Sequence, residues 1–183
     1  IFNTLQQKVP LHRDMNMLDF GCGTGTLAMH LAPLVDFITG ADTSQGMLDV
    51  FEKKVTTQSL NTVKTMLITP DGYKSLQGPY DLIVSTMTLH HVENIAPLLE
   101  HLHNILVPGG LLAISDLDPD GGLFHGPSAG VFHNGFERDV MVGMFEAAGF
   151  VNVRAVTAAE TTKPDANGEM RTFTLFLITG QRA

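Results

Sequence analysis

Short apolar blocks alternate with stretches of helical spacing along the whole chain. MNMLDF (Met15–Phe20) reads as a buried strand, and TLAMHLAPL (Thr26–Leu34) as a short helix. VDFITGAD (Val35–Asp42) reads as a second strand. SQGMLDVFEKKV (Ser44–Val55) opens on an N-cap serine and repeats Met47, Leu48, Phe51 and Val55 at helical intervals. TVKTMLI (Thr62–Ile68) alternates like a strand, and YDLIVST (Tyr80–Thr86) is a near-continuous apolar strand of the kind covered on both faces. NIAPLLEHLHNIL (Asn94–Leu106) puts Ile95, Leu98, Leu99, Leu102, Ile105 and Leu106 on one stripe. Pro108–Gly110 stops that helix, and LLAISDL (Leu111–Leu117) follows as a buried strand. Beyond a polar, glycine-rich stretch comes a helix from about Phe136 to Ala148, ended by Gly149. Two strands, near Val151–Thr157 and Thr172–Gly180, flank a turn containing Pro164 and Gly168.

Strands alternating with helices predict an α/β fold: a Rossmann-like, doubly wound and mostly parallel sheet with helices on both faces. The last two strands have no helix between them, so they pair antiparallel at one edge. No repeat, charge block or low-complexity linker interrupts residues 1–183, which read as a single domain. The first residue is Ile1 rather than Met, so a trimmed N-terminal segment is expected.

Composition narrows the function. With 44% hydrophobic and 16% charged residues the chain is of the globular type, and no apolar run has bilayer-spanning length. A net charge of −8 argues against nucleic acid as a partner, since a phosphate-backbone binder carries a basic face. The single Cys22 excludes an internal disulfide and any multi-cysteine zinc site, and suits a reducing cytoplasm. Nothing in the pattern sets an oligomeric state.

The densest chemistry is LDFGCGTG (Leu18–Gly25), at the end of the first strand. In an open parallel sheet that is where ligands bind, and three glycines let a ligand lie against bare backbone. The helix that follows offers unpaired amides at its start. The spacing is G-x-G-x-G; the dinucleotide fingerprint wants a third glycine where Thr26 stands. Asp42 ends the second strand, where a carboxylate either accepts ribose hydroxyls or serves as a helix N-terminal acid. Asp71, after the third strand, is placed either to meet an adenine or simply to make the turn in PDG.

Together these segments resemble the class I S-adenosylmethionine-dependent methyltransferases. LDFGCGTG is similar to their first motif, GADTS to the end of their second strand, YDLIVSTMTLHHV to the fourth strand and its exit, and ILVPGGLLAISD to the entry into the fifth. The resemblance spans about Met15 to Gly180 and implies S-adenosyl-L-methionine as cofactor, with S-adenosyl-L-homocysteine as product. It implies that Gly21, Cys22, Gly23, Thr24 and Gly25 form the loop at the methionine end of the cofactor. By the same resemblance Asp19 orients that loop and the cofactor's ammonium. Asp42 holds the ribose with Thr43 and Met47 flanking the adenosine, Asp71 and Gly72 reach the adenine, and Ser85 and Thr86 meet the methionine portion. The segment around Asp71 fits the family's pattern only loosely.

A general base is needed only when the acceptor carries its proton into the reaction. Four histidines are candidates: His90 and His91 at the exit of the fourth strand, and His125 and His133 in the polar stretch where a substrate lid would lie. DLDPDGGLFH and FHNGFERD resemble segments of one branch of small-molecule methyltransferases. His101 and His103 read as solvated, and His30 as surface or satisfied core. Asp116, Asp118 and Asp120 read as a solvated acidic rim rather than a cation site, so no metal is expected. The fourth strand exits as STMT, not as the Asn/Asp-Pro-Pro-Tyr/Phe of amino-methylating nucleic-acid enzymes. Pyrimidine C5 methylation commonly needs a nucleophilic cysteine, and Cys22 is committed to the loop. No paired-glutamate loop of the arginine-methylating kind is present. A small-molecule acceptor is the class that remains. The competing readings are a non-catalytic binder of the cofactor and an NAD-dependent oxidoreductase.

Overall fold

The computed structural model describes residues 1–69, 72–126 and 130–183. Seven strands form one sheet: β1 (Asn16–Phe20), β2 (Phe37–Asp42), β3 (Val63–Leu67), β4 (Tyr80–Thr86), β5 (Leu106–Leu117), β6 (Phe150–Pro164) and β7 (Met170–Arg182). Their order is β3-β2-β1-β4-β5-β7-β6, with β1 through β5 parallel and β7 antiparallel to both neighbours. The helices are α1 (Phe2–Lys8), α2 (Thr26–Leu31), α3 (Gln45–Thr57), α4 (Ile95–Ile105) and α5 (Arg138–Ala147). Because β1 leads to β2 on one side while β4 lies on the other, the strand order reverses between β1 and β4. The C-terminal ends of the strands at that point are where open α/β sheets carry their binding crevice.

Period-two alternation divides each central strand between two cores. Leu18, Phe20, Ile83, Leu112, Ile114, Phe176 and Ile178 pack with Leu98, Leu99 and Leu102 of α4 and Met141 and Phe145 of α5. Met17, Leu82, Val84, Ala113 and Leu177 face the other way, onto Leu5 of α1, Ala28 and Leu31 of α2, and Leu48 and Phe51 of α3. Phe51, Phe145 and Phe176 are among the largest fully buried side chains. Each such burial is worth about 1.5–3 kcal/mol. Ser44 caps α3, its hydroxyl accepting from the Met47 amide at 3.4 Å. Among the described residues no helix is long and apolar enough to cross a membrane.

Three departures from the pattern reading are physical. Helix α1 has one buried residue, Leu5, which is too little periodicity to read in seven positions. Pro108–Gly110 does not separate α4 from β5: the strand already starts at Leu106 and carries a bulge there, the pairing jumping from Tyr80↔Leu106 to Leu82↔Leu111. The terminal hairpin runs further than the apolar positions suggest, pairing through two register shifts, Val151/Arg154 and Thr157/Ala159, out to Pro164↔Met170. Its outer half is a polar two-stranded ribbon held by cross-strand pairs such as Thr162–Thr172, whose hydroxyls lie 2.8 Å apart. The protruding ribbon leans on the loop after β5: Lys163 Nζ donates to the Phe124 carbonyl at 2.7 Å, and the Ala166 amide to Leu123 at 2.9 Å.

Candidate active site

The glycine loop lies in the crevice. The amides of Gly21 and Cys22 both donate to the Ala41 carbonyl on β2, at 2.8 and 3.1 Å, so the chain turns sharply on leaving β1. Gly21 has φ +71°, and a Cβ there would sit 2.2 Å from the Thr88 side chain. The Thr88 hydroxyl meets the Gly21 carbonyl at 3.2 Å, joining the loop to the exit of β4. Gly25 has φ +75°, and its Cβ would run into the Phe51 ring at 2.1 Å. Only glycine lets the loop nest between these two side chains.

Asp42 stands where β2 ends. Its carboxylate accepts from the Gly23 amide at 2.7 Å and the Ser44 amide at 2.9 Å, tying the loop to the start of α3. Thr43 and Met47 are exposed beside it, Thr86 is half-buried at the end of β4, and Ser85 is fully buried with its hydroxyl unpartnered. Gly72 opens a short 3-10 turn over Gly72–Ser75, beyond the end of β3. Asp71 lies outside the described residues.

Asp19 is the most unusual acid of the chain. It is 1% exposed, and neither carboxylate oxygen has a partner in good hydrogen-bond geometry. Burial pushes its pKa up to about 7; the Ala28 amide pulls against that rise, and the nearby charge of Asp42 adds to it. An unpaired buried carboxyl is costly unless a cationic or donor group arrives to meet it. Cys22, also buried, has its thiol pushed far above the ordinary range by desolvation and by the charges of Asp19 and Asp42. It is no nucleophile.

On the other side of the crevice three candidate histidines come together. His90 follows β4 in a 3-10 turn over Leu89–His91. Its ring lies 4.1 Å from that of His91 and 4.7 Å from that of His125, centre to centre. His90 is 1% exposed and Asp116, behind it, is fully buried. The His90 Nδ1–H donates to Asp116 Oδ1 at 2.8 Å. Asp116 also accepts from the Leu117 amide at 2.8 Å and the His90 amide at 3.3 Å. All three contacts reach the carboxylate as donors, and its oxygens accept. The proton of a neutral His90 therefore sits on Nδ1, and Nε2, buried and unpartnered, carries the lone pair. His91 is exposed and donates to the Gly130 carbonyl at 2.6 Å. His125 has its pKa lowered, first by partial desolvation and then by His90, His91 and Lys163. His133 lies outside the ring cluster: its amide donates to the His90 carbonyl at 3.3 Å, its Nε2 to the Val92 carbonyl at 2.9 Å, and its ring is tilted against Phe136.

The acids and outlying histidines differ from the sequence expectation. Asp116, Asp118 and Asp120 form no common rim: Asp116 serves His90, Asp118 pairs with Arg138 at 2.6 Å, and Asp120 caps the amides of Gly122 and Phe124. Among the described residues no group of histidine, cysteine and acidic side chains is arranged for a metal ion. His101 and His103 are half-buried rather than solvated, because α4 packs both edges against neighbours. His101 donates to the Leu76 carbonyl at 3.1 Å and lies against Tyr73, while His103 meets Phe150 edge-on. His30 is on the surface, against Phe2.

Two contributors escaped the motif reading. Met87 adopts φ +54°, rare for a side chain of its size and of a kind that clusters at functional sites. It packs with Leu117, Phe173, Leu175, Leu123 and Phe124, a small apolar cluster that the terminal ribbon brings to this side. Asp116 could have been found through its place at the end of a buried strand, where a lone acid needs a partner.

A doubly wound sheet with a glycine loop at its switch point and an acid closing the next strand defines the nucleoside-binding α/β proteins. Residues 3–155 match the methyltransferase domain family, and the chain belongs to it. An uncharacterised methyltransferase of Schizosaccharomyces pombe is 29% identical over 161 residues, covering 80% of this chain and 57% of its own. One of Mycobacterium tuberculosis is 29% identical over 110 residues, covering 60% and 54%. The chain thus spans just over half the length of these relatives. Among solved structures a putative methyltransferase of Bacillus halodurans superposes with a TM-score of 0.78 at 15% identity, covering 99% of this chain and 98% of that one.

Proposed function

We propose that this domain transfers a methyl group from S-adenosylmethionine to a small-molecule acceptor bearing a removable proton, with His90 as the general base. The observation that carries the reading is the buried His90–Asp116 pair, whose free Nε2 stands beside the exit of β4. When bound, the cofactor supplies a methyl group already activated by its sulfonium. The chain's own residues then have three tasks: to hold the two partners in line, to exclude water, and to take up the acceptor's proton.

On the cofactor side, Asp19 would meet the ammonium of the methionine portion, the loop Gly21–Gly25 would hold that portion, and Asp42 would accept from the ribose hydroxyls. Thr43, Met47 and Gly72 would border the nucleoside, and Ser85 and Thr86 the methionine end. On the acceptor side, Met87, Phe124 and the ribbon supply apolar walls, and His91 and His125 flank the base. Asp116 holds the His90 ring in one tautomer and stabilises the imidazolium once the proton has moved. Such a base serves phenols, enols and other O–H or C–H acids.

A purely structural cofactor binder would not need a buried imidazole with its lone pair free. The solved neighbour titled phosphoethanolamine N-methyltransferase 2, from Haemonchus contortus and in complex with S-adenosyl-L-methionine, acts on a small molecule, which agrees with the acceptor class.

His90→Ala tests the assignment. Methylation across a panel of phenols, enols and β-dicarbonyl compounds is expected to fall about 10²–10⁴-fold. Cofactor affinity, read by calorimetry, is expected to stay within about twofold. Undiminished turnover would dismiss His90 as the base. Methylation confined to amines that are already deprotonated would remove the need for one.

A further inference from the structure

We infer that Lys54, far from the glycine loop in sequence, is the positioning residue that holds that loop in shape for the methionine end of the cofactor. This rests on the cofactor reading above. Lys54 is half-buried on α3, and its ammonium donates to the Thr24 carbonyl at 2.8 Å and meets the Thr24 hydroxyl at 3.2 Å. None of the ion pairs among the described residues includes it. A lysine charge directed onto a backbone carbonyl and its own hydroxyl marks a structural tether, since an exposed ammonium would be better served by water.

The loop has few other restraints at this point. Inside it, the Gly25 amide donates to the Cys22 carbonyl at 2.9 Å, and Gly23 is held by its amide on Asp42 at 2.7 Å and by a weak contact of its carbonyl with the Cys22 thiol at 3.7 Å. The bond to Asp42 competes with the ribose, because Asp42 has the same oxygens to offer both. Lys54 reaches Thr24 from the side of α3, clear of that competition, so its bond persists whichever partner Asp42 takes. Phe51 lies three residues earlier on the same helix face and fills the space under Gly25. Helix α3 thus forms a bed for the loop, apolar at Phe51 and charged at Lys54.

The consequence is selective. The loop meets the methionine portion, whereas the adenosine portion is held from the end of β2 and the loop after β3. Losing the tether therefore weakens ligands that carry the amino-acid tail and spares adenosine. The experiment is titration calorimetry of S-adenosylhomocysteine and of adenosine into the wild type, Lys54→Met and Lys54→Arg, with ligand-free thermal unfolding of each. Lys54→Met is expected to weaken S-adenosylhomocysteine about tenfold or more, as befits a lost charge-assisted bond, and adenosine less than about threefold. Lys54→Arg is expected to restore most of the loss. Should Lys54→Met not fold, Lys54→Gln, which keeps the stem but falls short of Thr24, takes its place with the same expectation. Unchanged S-adenosylhomocysteine affinity in a folded variant, or equal losses for both ligands, would overturn the inference. A wild type that binds neither ligand would instead bring down the cofactor reading on which it stands.

Discussion

Asp19 keeps a carboxyl group in the interior with no partner in good hydrogen-bond geometry, and two pH effects follow. In the free protein its pKa is raised to about 7 from an ordinary 3.8, so the folded state holds its proton more tightly than the unfolded chain. Its contribution to stability therefore falls as pH rises from about 4 to about 7, and levels off above that. On the proposed reading cofactor binding runs the other way, because the ammonium would need the ionised carboxylate. Affinity for S-adenosylmethionine is expected to drop about tenfold for each pH unit below about 7, and Asp19→Asn to bind weakly with a flat profile. Calorimetry between pH 5 and 8 reads both; a wild-type profile as flat as the variant's would detach Asp19 from the ammonium. Asp116 bonds His90 and the Leu117 amide and makes no bond to the glycine loop, so Asp116→Asn is expected to leave cofactor affinity unchanged while cutting turnover. Retained turnover would show that the tautomer does not matter. The placement of Asp19, Gly21 and Gly25 at the exit of β1, and of Asp42 at the end of β2, was legible in eight residues and one strand end. The pairing of Asp116 with His90 was not, since two elements 26 positions apart have to meet in space before either has a partner.

At the scale of elements, the glycine loop is shaped by what packs under it. Gly25→Ala places a Cβ both at positive φ and inside the Phe51 ring. The backbone conformation alone costs about 1–3 kcal/mol. The unfolding midpoint is expected to fall by at least about 4–8 °C, taking about 2 kcal/mol and a domain of this size. Phe51→Leu in the same background should recover part of that fall, and no recovery would place the strain elsewhere. The strands and most helix cores followed from hydrophobic period, because a two-sided core writes itself into alternate positions. The bulge at Pro108–Gly110 and the outer half of the hairpin did not. Both depend on pairing rather than burial, and polar threonines pair as readily as apolar residues while leaving no apolar trace. The ribbon matters for function, since it carries Phe173 and Lys163 to the loop that holds His125. Lys163→Ala is accordingly expected to lower turnover with little effect on cofactor affinity, and equal turnover would separate the ribbon from the acceptor side.

For the whole molecule, the order β3-β2-β1-β4-β5-β7-β6 puts the glycine loop and the His90 turn on the two lips of one crevice. On the proposed reading the cofactor's loop follows β1 and the base follows β4, neighbouring strands, so methyl donor and acceptor would meet where the strand order reverses. That division was foreseeable from the alternation of strands and helices; the depth of His90 was not. The measurement that tests this arrangement most directly is thermal unfolding of the wild type with S-adenosylmethionine, S-adenosylhomocysteine or NAD at about a hundred times the expected dissociation constant. Binding of that strength adds about 2.7 kcal/mol, or about 5–10 °C for a domain of this size. A rise of that order with the first two ligands and none with NAD is the predicted result. A rise with NAD alone, or none with any of the three, would contradict it.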